Sequence, residues 1–423
     1  MRKLPNSQAP ELLGCRVRAN MTDTIPSSAL VDLAAELADR LADRDVRLNS
    51  PSLPTPVTGR GLAEDSGTAL FFAAMLQVRD KPLYRSALHA YIASAAQLRE
   101  PMRGGLFHGI HGLLAACNYA IRVEPRYASL LDQCVSVAVR LEQTECTWQR
   151  ANSFSEYDII SGVAGRAIAL ASVISPSRAR ASCDYLVWLI GDPDRWWCPH
   201  PRMPERGAMH DIGMAHGLAG IVAALAIAAP AEERYERALR SAVELLVAFR
   251  LDPQALGWPT RMESAGPIYG TSAWCYGTPG CAAALLLASQ RLASKSAAAI
   301  ARESLMNLSK QNLRLASDYA ICHGNAGKAL IYGVAARFFD DEDLALCRDL
   351  IVEGIIEGFK VDSLFGYRAR NVTQDGFADY ANLLSGTAGI GLTLLTLAGA
   401  CDSSWMPLLG MPDLILAGRG DDS

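Results

Sequence analysis

Two cysteines and a histidine stand at matching places in a repeated motif of this 423-residue sequence. Cys275 and Cys322 each precede the first glycine of a Gly-x-x-Gly step by two residues, and His323 directly follows Cys322. Two thiolates and one imidazole would leave one position of a tetrahedral zinc ion open, as in catalytic zinc sites. The long separation of the cysteines does not fit a zinc finger or ribbon, whose ligands come in close pairs. The alternative is two core cysteines beside a capping histidine, and the shared place before a glycine favours the metal.

A second histidine and a carboxylate occupy related places. His216 directly precedes a repeat glycine, and Asp158 stands four residues before another. An imidazole can move protons near pH 7, and a carboxylate beside it can orient it or tune its pKa. From spacing alone two alternatives stay open for His216, a fourth zinc ligand or a helix cap. For Asp158 the alternative is an N-cap, a place where Asp is common.

The residues around these candidates follow the same logic. Trp274 and Tyr276 flank Cys275, and we expect both side chains to line a cavity. His108 has the same placement as His216, whereas His111 falls inside its step and is interpreted as a packing residue.

The steps themselves predict the elements that position these side chains. Six full Gly-x-x-Gly steps and one degenerate first copy are each followed by an Ala/Leu-rich run, and such runs indicate helices buried on all faces. Amphipathic segments such as 231–250 lie between them. A repeat near fifty residues favours one closed or stacked architecture. We therefore predict an all-α fold with concentric inner and outer helices, in which the residues before each step converge at one end. The steps begin at Glu64, Gly109, Gly162, Gly217, Gly277, Gly324 and Gly386.

Composition and chain organisation set further bounds. Half of the residues are apolar and the net charge is -4, which gives no nucleic-acid footprint. The N-terminus has no secretory apolar region, and the longest apolar stretch, 218–230, is too short to span a bilayer. Eleven cysteines in such a chain favour a reducing, cytoplasmic location. We predict a flexible tail over 1–28 ended by Ser27-Ser28 as a cap, one domain of seven helix pairs over 29–405, and a C-terminal tail over 406–423.

Together the motifs resemble the LanC family of lanthionine synthetase cyclases, over roughly residues 60–400. The pieces that carry the resemblance are, in order, Asp158-x-x-Ser-Gly, Ala-His216-Gly-x-x-Gly, Trp274-Cys275-Tyr-Gly-x-Pro-Gly and Cys322-His323-Gly-x-x-Gly. The resemblance implies an α/α toroid, a double α-barrel with seven inner and seven outer helices. It implies one Zn²⁺ per chain on Cys275, Cys322 and His323, with His216 and Asp158 as the acid–base residues.

One position departs from the family pattern. The family commonly has an arginine four residues before the first zinc cysteine, and this sequence has Thr271 there. We expect Thr271 to line the cavity. Arg261 is the candidate to replace the missing charge.

The resemblance also implies a reaction and partners. In the family reaction a cysteine thiol adds to dehydroalanine or dehydrobutyrine, which forms a (methyl)lanthionine thioether ring in a ribosomally made peptide. The implied partners are a dehydrated precursor peptide, a separate dehydratase, and a transporter complex that would bring a cytoplasmic protein to the membrane. One alternative is a non-catalytic, zinc-dependent binder of glutathione or a modified peptide on the same fold. Another is a different helical toroid with a catalytic zinc, such as a protein prenyltransferase β-subunit.

Overall fold

The structure is a computed structural model of the chain. It describes residues 25–43, 59–97, 104–144, 148–199, 205, 207–252, 257–270, 272–310, 318–370 and 376–414.

Seven helices form an inner layer, and each begins directly after the first residue of a repeat step. Almost all of their side chains are buried, as the Ala/Leu-rich runs predict. The inner helices are α2 (Asp65–Val78), α4 (Ile110–Ala120), α6 (Val163–Val173), α8 (Leu218–Ala228), α10 (Thr278–Leu292), α12 (Asn325–Phe339) and α14 (Thr387–Leu397).

Seven further helices in the described part of the chain form an outer layer. They are α1 (Ser27–Leu41), α3 (Pro82–Gln97), α5 (Ala128–Thr144), α7 (Arg180–Ile190), α9 (Glu233–Ala248), α11 (Lys295–Ser309) and α13 (Glu342–Glu357). Six of them pack against the inner helix that precedes them in the chain, and α1 packs against α14. The first helix of the chain therefore completes the last repeat.

The start of α1 differs from the prediction. Ser27 is the first helical residue, Pro26 is the N-cap, and no side chain caps the helix. The expected Ser27-Ser28 cap is therefore wrong, because proline already sets an extended backbone before the first turn.

The inner helices close into a ring. Each contacts the next one along the chain, and the last, α14, contacts the first, α2. The predicted all-α toroid with seven inner and seven outer helices is thus confirmed. Because all inner helices run in the same direction, the seven loops before them lie at one end of the ring.

The second glycine of each step is required by close packing. A Cβ atom there would lie 1.9–2.5 Å from a carbonyl oxygen of the preceding loop in all seven repeats. At Gly165, for example, that oxygen belongs to Ile159 and the distance is 1.9 Å. Only glycine lets the loop fold back this closely onto its helix.

Backbone hydrogen bonds connect neighbouring loops at or next to the position two residues before the first glycine. The N–H of Ala215 donates to the carbonyl of Cys275 (3.2 Å), and that of Cys275 donates to Cys322 (3.2 Å). The N–H of Cys322 donates in turn to Leu384 (2.9 Å). This pairing explains why two cysteines that are distant in sequence become neighbours at one end of the ring.

The C-terminal part of the chain enters the ring. A 3₁₀ helix, Met406–Leu409, contacts α6, and the Trp274 indole N–H donates to the Leu409 carbonyl at 2.8 Å. Met406, Leu409 and Met411 are fully buried. The predicted tail over 406–423 is therefore wrong for 406–414, because these apolar residues fill space inside the ring, and 415–423 lie outside the described residues. Trp274 is fully buried against this segment, so the expectation that it lines the cavity is also wrong.

Two small antiparallel sheets lie in connections that lead to the site. The first contains β1 (Cys198–Pro199), β2 (Ala208–Asp211), β3 (Arg261–Glu263) and β4 (Gly266–Ile268), in that order. The second pairs β5 (Arg368–Arg370) with β6 (Phe377–Asp379). Strand β2 runs into the loop of His216, and β4 precedes the loop of Cys275. Among the described residues, no helix combines the length and apolarity needed to cross a membrane.

Candidate metal centre and acid–base pair

The two cysteines and the histidine form one cluster at the loop end of the ring. The ligand atoms of Cys275, Cys322 and His323 all lie within 4.8 Å of one another. Cys322 Sγ is 3.7 Å from His323 Nε2, close to the separation of about 3.6 Å that Zn–S and Zn–N bond lengths require in a tetrahedral ion. Cys275 is buried, whereas Cys322 and His323 are half-buried. The two sulfurs and one nitrogen therefore fit zinc. The more accessible side of the cluster is the one formed by Cys322 and His323.

The electrostatics of the cluster favour a thiolate. The pKa of Cys322 is lowered to about 5, first because Cys275 donates a hydrogen bond to its sulfur and further because the His323 imidazolium lies beside it. Burial and the Cys322 thiolate raise the pKa of Cys275, and the same thiolate raises the pKa of His323 to about 9. The cluster thus holds a negatively charged sulfur at neutral pH, the ligand that zinc prefers.

The second candidate pair is also assembled. Asp158 Oδ2 lies 2.6 Å from His216 Nδ1. The other oxygen, Oδ1, accepts the backbone N–H groups of Ser161 (2.7 Å) and Gly162 (2.8 Å). Each carboxylate oxygen of Asp158 therefore has its own partner: Oδ1 closes the turn before α6, and Oδ2 binds the His216 imidazole.

The pair is held in a half-buried, aromatic environment. Burial alone would lower the pKa of His216, but the hydrogen bond and negative charge of Asp158 raise it above its ordinary value. The His216 ring lies 4.5 Å from the Phe154 ring and 6.1 Å from the Tyr276 ring, measured between centroids. The backbone N–H of Ala215, next to His216, donates to the carbonyl of Cys275 at 3.2 Å, so the pair and the cysteine–histidine cluster lie on neighbouring loops.

One buried carboxylate escaped the sequence analysis. Asp211 is 2% exposed, accepts the Gly213 N–H at 2.9 Å, and pairs in register with Arg261 across β2 and β3. Burial raises its pKa to about 6. Alignment of the repeats would have found this residue, because Asp318 stands in the same place, six residues before a first glycine, and accepts the Ala320 N–H at 2.9 Å.

The remaining sequence candidates are distributed as follows. Tyr276 is half-buried beside His216, whereas Thr271 lies outside the described residues. The Arg261 guanidinium is paired with Glu263 at 2.7 Å. His108 is half-exposed and 3.6 Å from Glu64, and His111 is fully buried within α4, as its packing role predicts.

The fold and the site together define a class of protein: a closed α/α toroid with two cysteines and a histidine that could hold a metal, and an imidazole–carboxylate pair, at the start of its inner helices. The family model described as "Lanthionine synthetase C-like protein" matches residues 65–409, which is most of the chain. The chain therefore belongs to the lanthionine synthetase C-like family.

Solved structures show the same architecture. The structure of "Nisin cyclase" is similar with a TM-score of 0.72 at 19% identity, covering 90% of this chain and 97% of that one. The structure of cellobiose 2-epimerase from Spirochaeta thermophila DSM 6192 gives a TM-score of 0.51 at 12% identity, covering 92% and 98%. At these identities the likeness concerns the fold. Comparison with curated protein sequences finds no match.

Proposed function

We propose that this protein is a lanthipeptide cyclase, which adds a peptide cysteine thiol to a dehydroalanine or dehydrobutyrine residue of the same peptide. The observation that carries the proposal is the placement of the Cys275–Cys322–His323 cluster and the His216–Asp158 pair on neighbouring loops at one end of the ring. Thioether formation needs both a thiolate and a proton donor within reach of one substrate. Family membership agrees with this reading.

Cys275, Cys322 and His323 are the residues that would hold one zinc ion. A bound ion would supply an open coordination position and a positive charge that favours a thiolate, whereas a free cysteine has a pKa of about 8.5. The donor set of two sulfurs and one nitrogen suits zinc, and the 3.7 Å separation of Cys322 Sγ and His323 Nε2 supports this assignment.

His216 would supply the proton that completes the addition. The thiol loses its proton, a sulfur–carbon bond forms at the β-carbon, and the electron pair displaced to the α-carbon side must take up a proton. Since Asp158 occupies Nδ1 of His216, Nε2 is the nitrogen available to donate. The raised pKa of His216 keeps it protonated to a higher pH than an ordinary histidine, which suits a general acid.

Asp158 would orient the imidazole and stabilise its charged form. Its position is fixed by the two N–H groups that its other oxygen accepts, so the carboxylate cannot turn away without breaking the turn. The rings of Phe154 and Tyr276 would limit the access of water to the imidazole.

The substrate under this proposal is a dehydrated precursor peptide. A separate dehydratase, a transporter complex and a cytoplasmic location remain predictions from the sequence.

The direct test measures zinc content and thiol consumption on the wild type and on Cys322→Ala. The assay follows a dehydrated, cysteine-containing peptide by alkylation of its free thiols. We expect one zinc per wild-type chain and loss of free thiols with no change in peptide mass, both abolished in the variant. Stoichiometric zinc in Cys322→Ala would overturn the ligand assignment, and zinc without thiol consumption by the wild type would indicate a binding protein instead.

A further inference from the structure

A cavity that the chemistry above does not use lies between the Asp158 loop and the outer helix α7. Its volume is ≈ 280 Å³, slightly below the range of about 300–1,000 Å³ for small-molecule sites. This space suits one or two residues of a larger ligand. The polar side chains that line it belong to Gln149, Ser155, Glu156, Ser161, Arg166 and Tyr185.

The cavity shares its wall with the acid–base pair. Ser161 and Gly162 line the cavity, and their N–H groups bind Asp158 Oδ1. Phe154 contacts His216 on one side of the loop, and the next residue, Ser155, faces the cavity. A ligand in the cavity would therefore lie next to a substrate at His216.

The outer side of the cavity continues into a row of aromatic residues that ends at an exposed tryptophan. Tyr185 lines the cavity and lies 5.8 Å from the Trp188 ring, which in turn lies 6.0 Å from Trp148. Trp148 is 59% exposed, and among the described residues it is the only tryptophan in the group of exposed large apolar side chains. Exposed aromatic side chains beside a polar cleft are typical of binding surfaces.

The seventh repeat shows that this cavity is not a by-product of the toroid. The corresponding place there is lined by Ser385, Gly386, Thr387 and Ile390, which match Ser161, Gly162, Val163 and Arg166. Its volume is ≈ 0 Å³. The same backbone design is therefore closed in the seventh repeat, but open in the repeat that carries Asp158.

The charged and polar side chains that line the cavity indicate the kind of ligand it would bind. Arg166 projects from the first turn of α6, its side chain is 5% exposed, and Nε lies 4.0 Å from Glu142 Oε2. Glu142 also accepts hydrogen bonds from the Ser182 N–H and hydroxyl. The Arg166 guanidinium and the hydroxyls of Ser155 and Ser161 are groups of this wall that can donate to a ligand. Glu156 at the edge accepts the N–H of Asn152 at 3.3 Å.

We propose that this cavity is a subsite for the substrate peptide. It would bind a segment next to the reacting residues through acyl oxygens that face Arg166 and the loop hydroxyls, while the chain beyond it packs on Trp188 and Trp148. The oxygens come either from backbone carbonyls or from an Asp or Glu side chain. The inference rests on the proposed function, because it takes the substrate to be a peptide. An extended peptide advances about 3.3–3.6 Å per residue, so a few residues span the path from His216 to the cavity.

The test fills the cavity at its exposed residue with Ser155→Trp. Kinetics are measured on a long dehydrated peptide and on a short one that contains only the reacting cysteine, the dehydro residue and the segment between them. We expect a KM at least fivefold higher for the long peptide, an unchanged kcat, and no effect on the short peptide. The control is Leu83→Trp, which adds the same side chain at the half-exposed start of α3, at the other end of the ring.

Two further measurements separate the possible outcomes. Asp or Glu residues of the long peptide are changed to Asn or Gln: a higher wild-type KM assigns the cavity to a carboxylate, and an unchanged KM assigns it to backbone carbonyls. Equal kinetics of Ser155→Trp and wild type, or equal losses on both peptides, would overturn the subsite. If the wild type cyclises neither peptide, the proposed function fails. Fluorescence anisotropy of the labelled long peptide then tests the subsite alone, with unchanged affinity in Ser155→Trp as the contradicting result.

Discussion

The loops before the third and the seventh inner helices have the same design and different chemistry. In the third, Asp158 Oδ1 accepts the N–H of Ser161 at 2.7 Å. In the seventh, Asn382 Oδ1 accepts the N–H of Ser385 at 2.8 Å. Both side chains stand four residues before the first glycine. In these two loops a side-chain oxygen closes the turn, and either an amide or a carboxylate supplies it.

The two side chains differ in the atom that the turn does not use. The carboxylate of Asp158 has another oxygen, which binds His216, whereas Asn382 carries no charge. Four residues after the first glycine, the third repeat has Arg166, which lines an open cavity. The seventh repeat has Ile390 at the equivalent place, and the pocket there is closed. We propose that function is added to this structural turn by a few differences in sequence that leave the turn intact.

Asp158→Asn gives the third loop the chemistry of the seventh and is expected to have the largest effect. The turn survives, because the amide oxygen still accepts the two N–H groups. The amide NH₂ then faces Nδ1 of His216 and can no longer stabilise an imidazolium. General acid–base catalysis typically contributes about 10²–10⁴-fold, so the rate constant for thiol loss should fall by that amount.

Single-turnover alkylation assays would measure the expected loss of rate, and urea unfolding would measure the stability that the intact turn should preserve. Asp158→Ala serves as the matched variant, because it also removes the acceptor and should cost about 1 kcal/mol of unfolding free energy. A rate within threefold of wild type in Asp158→Asn would show that the carboxylate is only structural.

The pH dependence sharpens the same comparison. In the proposed mechanism His216 is the proton donor, so the rate should fall as pH rises through its pKa, which Asp158 raises. In Asp158→Asn this alkaline fall should therefore move to lower pH. The folding linkage has the same sign, because a raised pKa contributes stability below the unfolded value of about 6.5 and loses it as pH rises through the folded pKa. A pH–rate profile with the same alkaline limb in both proteins would exclude His216 as the donor that Asp158 tunes.

Asn382→Asp is the reverse exchange and is expected to change least. Its carboxylate keeps the turn, and the seventh loop brings no catalytic histidine to it. The cyclisation rate should stay within about twofold of wild type and the unfolding free energy within about 0.5 kcal/mol, the range usual for substitutions outside such features. A large loss of cyclisation would mean that the charge at this turn acts at long range, and that the two loops are less separate than proposed.

Much of this architecture could be predicted from the glycine steps, because they mark the start of every inner helix and require close packing that only glycine allows. The site residues followed from the same repeat, since positions equivalent in the repeat lie side by side at one end of a closed ring. Asp211 could have been found in this way too, through its match with Asp318.

Other features had no local signal. The segment that contains Leu409 is short and apolar without a helical or strand period, and its partner Trp274 is distant in the chain. In the sequence, Arg166 is a single charged residue within an otherwise largely apolar helix. The cavity that it lines is formed by packing against α7, which the sequence does not indicate. Strands of two to four residues such as β1 and β2 are too short for an alternating pattern.

The central claim is that the metal cluster and the His216–Asp158 pair are separate parts of one cyclase. Zinc content and thiol consumption measured together on His216→Ala test it most directly. We expect one zinc per chain, as in wild type, with cyclisation reduced at least a hundredfold. Loss of the zinc would instead make His216 a metal ligand, and thiol consumption at the wild-type rate would contradict its role as the proton donor.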